Sequence, residues 1–329
     1  MRAGDVVGVV APAGPIEEPN LRAGLAVLES FGLRPRLGAA LLERQAYRAG
    51  ADDARRADLA AMLADPDVRA VFCARGGYGS QRIVPAIDWA ALRDDPKPVV
   101  GYSDVTAVHG ALARAGVASF HGPMVASDMA RGLTVASVDS LWSGLSDPAA
   151  RLAAPVPTSV RGGRARGRLA GGCLSVFATT LGTPWAVDTT DAILFLEDVR
   201  EWPYRLDRLL LQLRQAGAFD RVAGVVFGTL ATCPSAQGVG PLDVVRDAFA
   251  DAPFPVGFGL PAGHSSEETD VENLTLPLGV DVELDVDAGR VVALADDEGH
   301  RVRRLVAHEG ARDDDRHHAA RARGQDPPR

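Results

Sequence analysis

Apolar stretches of strand length alternate with amphipathic stretches of helix length along the first third of the chain. The first apolar stretch, Val6–Val10, is β-branched and ends at a proline- and glycine-rich loop, as buried strands often do. The helical stretch that follows places Leu21, Leu25 and Leu28 on one face. The same pattern predicts strands at 70–74 and 98–101 and helices at 52–64 and from about 104 to 113. Alternation of strand and helix predicts a doubly wound parallel sheet.

The pattern changes in the second half of the chain. From about 146 to 167 no period is sustained and Pro, Gly and Arg are frequent, which predicts a domain linker. Residues 168–308 are predicted to form a C-terminal, β-rich α/β domain, after an N-terminal α/β domain at 1–145. Residues 309–329 are charged and poor in apolar side chains, so we expect them to be disordered. Elements predicted in the C-terminal domain are strands at 192–196, 222–227, 274–276 and 280–286 and a helix at 204–215.

Composition narrows the function classes. A chain of 329 residues is large for one core, so two domains with a cleft between them are expected. The formal net charge of -8 argues against nucleic-acid binding. The apolar stretch before Pro12 is too short for a leader or a membrane span, and we expect a cytoplasmic protein without membrane partners. Cys73, Cys173 and Cys233 are far apart and lack metal-ligand spacing, so free thiols are predicted, with no metal and no cofactor.

Ser103 is the strongest chemical candidate in the sequence. It stands where the apolar strand at 98–101 turns abruptly into a helix, which is the context of a nucleophile elbow. A helix N-terminus favours developing negative charge, and free backbone N–H groups there can bind an oxyanion. Gly101 is expected to let the sharp turn form. The alternative is that Ser103 merely caps the helix, as serine often does.

A glycine cluster follows the preceding strand, at Arg75-Gly76-Gly77-Tyr78-Gly79. Ligands bind at this edge of an open parallel sheet, and glycines let backbone N–H groups approach them closely. The loop could therefore supply one half of an oxyanion hole, beside the N–H of Asp104. The alternative is an ordinary turn, because the spacing fits neither a P-loop nor a dinucleotide fold.

A nucleophilic serine needs a base and an acid that orients it. Of the seven histidines, His121 and His264 both lie on loops after apolar stretches, and the residues alone do not choose between them. Either could be a hydrogen-bonded structural histidine. Glu197 ends the strand predicted at 192–196 and is a candidate orienting acid, with a solvated strand end or helix cap as the alternative.

Taken together, these segments resemble the LD-carboxypeptidases, serine peptidase family S66, which includes muramoyltetrapeptide carboxypeptidases and relatives that confer immunity to microcin C. The resemblance covers roughly 5–295. Motifs that carry it, in order, are Val-Ala-Pro-Ala-Gly-Pro, Arg-Gly-Gly-Tyr-Gly, Gly-Tyr-Ser-Asp-Val-Thr, His-Gly-Pro, Leu-Phe-Leu-Glu-Asp-Val, Tyr-Arg-Leu-Asp-Arg, Gly-His and Asn-Leu-Thr-Leu-Pro-Leu-Gly.

The resemblance implies a nucleophile at Ser103, a base at His264 and an orienting carboxylate at Glu197. It also implies an oxyanion hole from the N–H groups of Gly77 and Asp104, with the active site at the interface of the two domains. In this chain Cys173 follows Gly171-Gly172 where many relatives have Asn, and the stretch from His264 to Asn273 looks longer and more acidic than usual.

By the same resemblance, the substrate is a murein tetrapeptide that loses its terminal D-Ala by cleavage of an L,D-bond during cell-wall recycling. Relatives are commonly homodimers. Two other functions stay open: an immunity-type amidase that cleaves aminoacyl-nucleotide conjugates, which an aromatic platform for adenine would favour, and a non-catalytic peptide-binding protein.

Overall fold

The computed structural model describes residues 1–147 and 152–294, which form two β-sheets with helices packed against them. The strands are β1 (Val6–Val10), β2 (Arg34–Leu37), β3 (Val68–Cys73), β4 (Val99–Gly101), β5 (Ser119–His121), β6 (Ala153–Pro155), β7 (Thr158–Arg161), β8 (Arg164–Cys173), β9 (Ala192–Val199), β10 (Gly224–Ala231), β11 (Val256–Phe258), β12 (Leu276–Leu278), β13 (Asp281–Asp285) and β14 (Arg290–Ala293). The α-helices are α1 (Glu18–Ser30), α2 (Asp52–Ala64), α3 (Ser80–Ile83), α4 (Thr106–Arg114), α5 (Val135–Ser146), α6 (Leu174–Thr180), α7 (Pro203–Gln215) and α8 (Pro241–Ala248).

The N-terminal sheet has the strand order β12-β5-β4-β3-β1-β2. Its five N-terminal strands are parallel, and β12 pairs with β5 in the antiparallel direction. Both faces are buried: Phe72 and Val100 belong to one apolar layer, and Val71 and Val99 belong to the layer on the other face. Burial on both faces is typical of parallel strands, and it accounts for the apolar sequences of β1, β3 and β4. The predicted doubly wound parallel sheet is confirmed.

The C-terminal sheet has eight strands in the order β6-β14-β13-β8-β9-β10-β11-β7. Its central strands β8 to β11 are parallel, whereas the flanking strands pair in the antiparallel direction. Helix α7 buries Leu206, Leu210 and Leu213 in the apolar layer on one face of this sheet. The mixed sheet agrees with the expected β-rich α/β domain.

The predicted linker at 146–167 needs correction. Residues 148–151 lie outside the described part of the chain, but the rest of this segment contains the end of α5, the strands β6 and β7, and the start of β8. These strands are short or arginine-rich, and they pair with β14, β11 and β13, which are remote in sequence. Local composition therefore gave no sign of them. The predicted disordered tail at 309–329 lies outside the described residues.

The chain crosses between the two sheets near its C-terminus. Strand β12, expected nearby at 274–276 in the C-terminal domain, instead completes the N-terminal sheet, where Leu276 pairs with His121. The next strand, β13, returns to the C-terminal sheet. The carboxyl ends of β4, β5 and β9 consequently lie close to one another. None of the helices within 1–147 and 152–294 has the length and apolar character needed to cross a membrane.

Candidate active site

Ser103 lies between β4 and α4, in a short 3₁₀ turn at Ser103–Val105. Its φ of 63° is in the left-handed region, which non-glycine residues rarely adopt and which recurs at strained functional positions. Tyr102, not Ser103, is the N-cap of this turn. The alternative that Ser103 merely caps the helix is therefore wrong. The Ser103 hydroxyl instead lies 3.1 Å from Nε2 of His264.

The role expected for Gly101 also needs correction. Gly101 is the last residue of β4, and the left-handed turn falls on Ser103 itself. A Cβ at position 101 would lie 3.0 Å from Cβ of Cys73 on the neighbouring strand. Glycine is therefore required here for close packing between β4 and β3 rather than for the turn.

His264 and Glu197 form the second contact of the site. Nδ1 of His264 lies 2.7 Å from Oε2 of Glu197, and the backbone N–H of His264 donates to the same oxygen at 3.0 Å. Glu197 lies near the end of β9 and is fully buried. Ser103, His264 and Glu197 are thus joined in series, and the two sheets supply different members of the series.

The loop before His264 is fixed by its neighbours. Gly263 has φ of 110°, and its N–H donates to Oδ1 of the buried Asn273 at 2.9 Å. The hydroxyl of Thr229 donates to the carbonyl oxygen of His264 at 2.5 Å. A side chain at position 263 would collide with Glu197, because its Cβ would lie 2.5 Å from Oε2. The glycine of the Gly-His motif therefore lets the imidazole and carboxylate meet.

Charge favours a proton on the imidazole of this pair. Burial alone would lower the pKa of His264, but the Glu197 carboxylate raises it above the ordinary value of 6.5. Burial alone would raise the pKa of Glu197, but His264, together with His121, holds it below its usual range. Glu197 is therefore ionised at neutral pH and stabilises an imidazolium at position 264.

The glycine loop faces Ser103 across the cleft. A Cβ at Gly76 would lie 2.7 Å from Cβ of Ser103, so only glycine allows this approach. Gly77 has φ of 124°, a conformation that favours glycine, and it lines the same cleft as Ser103. The side chain of Asp104 points away from that cleft and accepts the N–H of Ser80 at 2.7 Å. Asp104 thus anchors the elbow through its carboxylate, which leaves only its backbone N–H as a candidate oxyanion donor.

A cleft of about 510 Å³ opens beside Ser103 and His264. Three guanidinium side chains line it, from Arg75, Arg131 and Arg200. Arg131 donates to Oδ1 of the buried Asp128 at 2.8 Å, and Arg75 donates to a backbone carbonyl. Arg200 has φ of 60° and, within the described part of the chain, its side chain forms no hydrogen bond or ion pair. Glu17 also lines the cleft, and its carboxylate is paired with Arg44. Positive charge is therefore in excess along the lining, which suits an anionic group.

Behind His264 lies a buried polar network that the sequence analysis missed. The hydroxyl of Tyr102 donates to Oδ1 of Asp128 at 2.9 Å, and the Tyr102 ring packs edge-on against His264, with 5.0 Å between the ring centroids. Asp128 is fully buried. A lone carboxylate in the apolar stretch at 124–129 was a visible signal, because buried acids need partners.

His109 and His121, the two fully buried histidines of the described residues, occupy different environments. His109 contacts the Ser119 hydroxyl and the Gly101 carbonyl oxygen, both at 2.8 Å, as a hydrogen-bonded structural histidine does. His121, the other candidate base in the sequence, lies on the far side of the acid, with Nε2 3.7 Å from Oε1 of Glu197. The structure thus brings His264, and not His121, to Ser103.

The remaining polar candidates do not form a metal site. In the described ranges no group of three or more His, Cys, Asp or Glu side chains is arranged to hold a metal ion. Cys73, Cys173 and Cys233 are free thiols. Cys173 is buried, and its Sγ lies 3.4 Å from the Ser175 hydroxyl.

A serine, a histidine and a carboxylate joined in series, at the meeting point of two α/β sheets, place this protein among the serine hydrolases. The model of the LD-carboxypeptidase N-terminal domain matches residues 7–122, and that of the LD-carboxypeptidase C-terminal domain matches residues 166–284. The chain belongs to the LD-carboxypeptidase family and is a serine-type carboxypeptidase. The resemblance inferred from the motifs is confirmed.

Relatives with assigned names agree with this family. The probable murein peptide carboxypeptidase of Bacillus subtilis is 38% identical over 287 residues, which span 85% of this chain and 88% of that protein. The murein tetrapeptide carboxypeptidase of Pseudomonas aeruginosa is 32% identical over 79% of this chain and 88% of its own length.

Solved structures share the fold. The muramoyltetrapeptide carboxypeptidase from Oxalobacter formigenes superposes with a TM-score of 0.78 at 28% identity, over 87% of this chain and 97% of that chain. The microcin C7 self-immunity protein MccF superposes with a TM-score of 0.80 at 22% identity, over 90% of this chain and 97% of that chain. At that identity the second likeness shows the fold alone.

Proposed function

We propose that this protein removes the terminal D-Ala from murein tetrapeptides, by hydrolysis of an L,D-peptide bond, in cell-wall recycling. The observation that carries the proposal is the hydrogen-bonded series from the Ser103 hydroxyl through His264 to Glu197, at the edge of an arginine-lined cleft. The names of the Bacillus, Pseudomonas and Oxalobacter relatives support the choice of substrate. A peptide that ends in a carboxylate matches the charge of the cleft.

The proposed reaction begins with attack by Ser103 Oγ on the carbonyl carbon of the last peptide bond. His264 Nε2 takes the hydroxyl proton, and Glu197 stabilises the resulting imidazolium. Backbone N–H groups of Gly77 and Asp104 hold the negative charge on the carbonyl oxygen. The imidazolium then gives its proton to the departing nitrogen of D-Ala, and a water molecule activated by His264 hydrolyses the acyl-enzyme.

Arg200 is the best candidate to bind the terminal carboxylate of the substrate. The charge of Arg131 is already paired with Asp128, and Arg75 is anchored to the carbonyl oxygen of Pro15 at 2.9 Å. The Arg200 guanidinium lines the cleft without a pairing acid among the described residues. A planar guanidinium can bind a carboxylate through two parallel hydrogen bonds.

We further propose a cytoplasmic location and a homodimer. The buried free thiols of Cys73 and Cys173 are compatible with a reducing compartment. Fractionation of the producing cells tests the location, and light scattering on the purified protein tests the dimer.

The deciding experiment is incubation of the protein with a murein tetrapeptide, with free D-Ala measured by mass spectrometry. We expect D-Ala release by the wild-type protein and none by the Ser103→Ala variant. Cleavage of an aminoacyl-nucleotide conjugate without D-Ala release would favour the immunity-type amidase. Tetrapeptide binding that Ser103→Ala retains, with no cleavage by the wild-type protein, would favour a non-catalytic binding protein.

A further inference from the structure

Glu197 lies between two imidazole rings, and the mechanism above uses only one of them. Oxygen Oε2 accepts two hydrogen bonds from His264, whereas Oε1 has none in the described part of the chain. Nε2 of His121 lies 3.7 Å from Oε1. A fully buried carboxylate oxygen without a donor is costly, and buried polar atoms are almost always paired.

His121 is equally short of partners. Its side chain is fully buried, and neither ring nitrogen forms a hydrogen bond within 1–147 and 152–294. Its ring packs edge-on against Phe195, with 4.9 Å between centroids, and is tilted against Tyr102, with 5.4 Å between centroids. These aromatic contacts hold the imidazole in place, with its Nε2 beside Oε1 of Glu197.

We propose that His121 is a positioning residue that donates its Nε2–H to Oε1 of Glu197 and so completes a series of four side chains, Ser103–His264–Glu197–His121. Catalytic hydrogen bonds are often long in the free enzyme and tighten when a reactant is bound, which accounts for the 3.7 Å separation. The donated proton fixes the rotation of the carboxylate, so that Oε2 stays directed at His264.

The active form of His121 in this proposal is the neutral ring with its proton on Nε2. A carboxylate between two cations would stabilise the charge on His264 less than one that faces a single cation. Other ionisable groups near the pair are Asp198 and Asp128, which add negative charge around His264, and Tyr102 and Cys173, which are buried beside Glu197. His109 is also buried and lies close enough to His121 for their charges to interact. None of these supplies a hydrogen bond to Oε1 in the described residues.

The test compares His121→Gln with His121→Leu. Glutamine can place a neutral N–H donor where Nε2 lies, whereas leucine fills the space without a donor. The readout is the rate at which a fluorophosphonate labels Ser103 as a function of pH, because this rate reports activation of the serine without a peptide substrate. His109 offers a matched control, since it is also buried but contacts Ser119 and Gly101 instead of Glu197.

We expect His121→Leu to label about 10- to 100-fold more slowly, the effect of losing one hydrogen bond to a charged group, and His121→Gln to recover most of the rate. In His121→Leu the carboxylate is more basic, so the midpoint of the acid limb moves to higher pH. His109→Gln is expected to leave this midpoint unchanged. Equal rates for His121→Leu and wild type, or equal losses for the Leu and Gln variants, would overturn the proposal.

The role of His121 rests on the proposed function only in assuming the triad of Ser103, His264 and Glu197. The proposed substrate and the proposed role of His121 can therefore be refuted separately. A wild-type protein that is labelled at Ser103 but releases no D-Ala from a tetrapeptide would refute the substrate and leave the His121 comparison valid. A wild-type protein that is not labelled at Ser103 would refute the series of side chains to which His121 belongs.

Discussion

Oε2 of Glu197 accepts hydrogen bonds from both the imidazole Nδ1 and the backbone N–H of His264, at 2.7 Å and 3.0 Å. The acid thereby fixes the position of the loop and the orientation of the ring together. With Nδ1 bearing the proton, Nε2 is left as the acceptor that faces Ser103. The tautomer that a general base requires is therefore set by the side chain at the end of β9.

This pair predicts the pH dependence of the enzyme. If His264 is the general base, as proposed, the active enzyme needs it neutral. Burial lowers the pKa of His264, but Glu197 raises it above 6.5. The value of kcat/KM should therefore rise with pH through a midpoint above 6.5. In Glu197→Gln the charge is lost and burial persists, so the midpoint should fall, while kcat drops by roughly 10⁴-fold. Profiles of kcat/KM against pH check both; an unchanged midpoint in the variant would contradict the assignment.

The backbone of Ser103 predicts a conflict between stability and activity. Its φ of 63° is unfavourable for serine and ordinary for glycine. We expect Ser103→Gly to be more stable than Ser103→Ala by about 1 kcal/mol, because only glycine removes the strain. Both variants should be inactive. Denaturant unfolding measures the difference, and equal stability of the two variants would show that the turn carries no strain.

Much of this architecture could be predicted from local sequence. Helix α2 lies at Asp52–Ala64, as predicted, and the parallel strands β1, β3, β4, β9 and β10 follow from their apolar runs. Strands β6 and β7 could not be predicted, and β12 was expected in the wrong sheet, because these strands are stabilised by pairing with distant strands and not by their own residues. Pairings of that kind leave no local period in the sequence.

In the candidate site, too, some residues could be predicted from the local sequence and others only from the structure. Spacing identified Ser103 as a candidate but left His121 and His264 equal, because the choice depends on how two domains meet. Only the structure places His264 against Ser103 and His121 against the opposite oxygen of Glu197. The buried Asp128 was visible as an acid in an apolar stretch, yet its partner Tyr102 lies 26 residues away in sequence.

Arg200 predicts a change in substrate affinity. If its guanidinium binds the terminal carboxylate of the peptide, Arg200→Ala should raise KM by about tenfold or more, since one charge-assisted contact is lost. The value of kcat should change less, because the triad is untouched. Arg221→Ala is the matched control, as Arg221 is an exposed arginine paired only loosely with Asp191, at 3.8 Å. Equal KM values for both variants would move the carboxylate site to Arg75 or Arg131.

The variant Gly263→Ala tests how closely Glu197 and His264 must pack. In Gly263→Ala the new Cβ would lie 2.5 Å from Oε2 of Glu197, in a backbone with φ of 110°. Either the carboxylate rotates or the loop moves, and each displaces His264 from Ser103.

Gly182→Ala is the control. Position 182 has a comparable positive φ of 77°, but no atom lies within 4 Å of the new Cβ, so this variant has the backbone cost alone. Both variants should lose stability, about 1 kcal/mol for the control. Only Gly263→Ala should lose kcat, by 10²-fold or more for a displacement of about 1 Å. Thermal unfolding and steady-state kinetics of the two variants separate these effects. Retained kcat in Gly263→Ala would mean that the Glu197–His264 contact tolerates displacement and that its geometry does not limit the reaction.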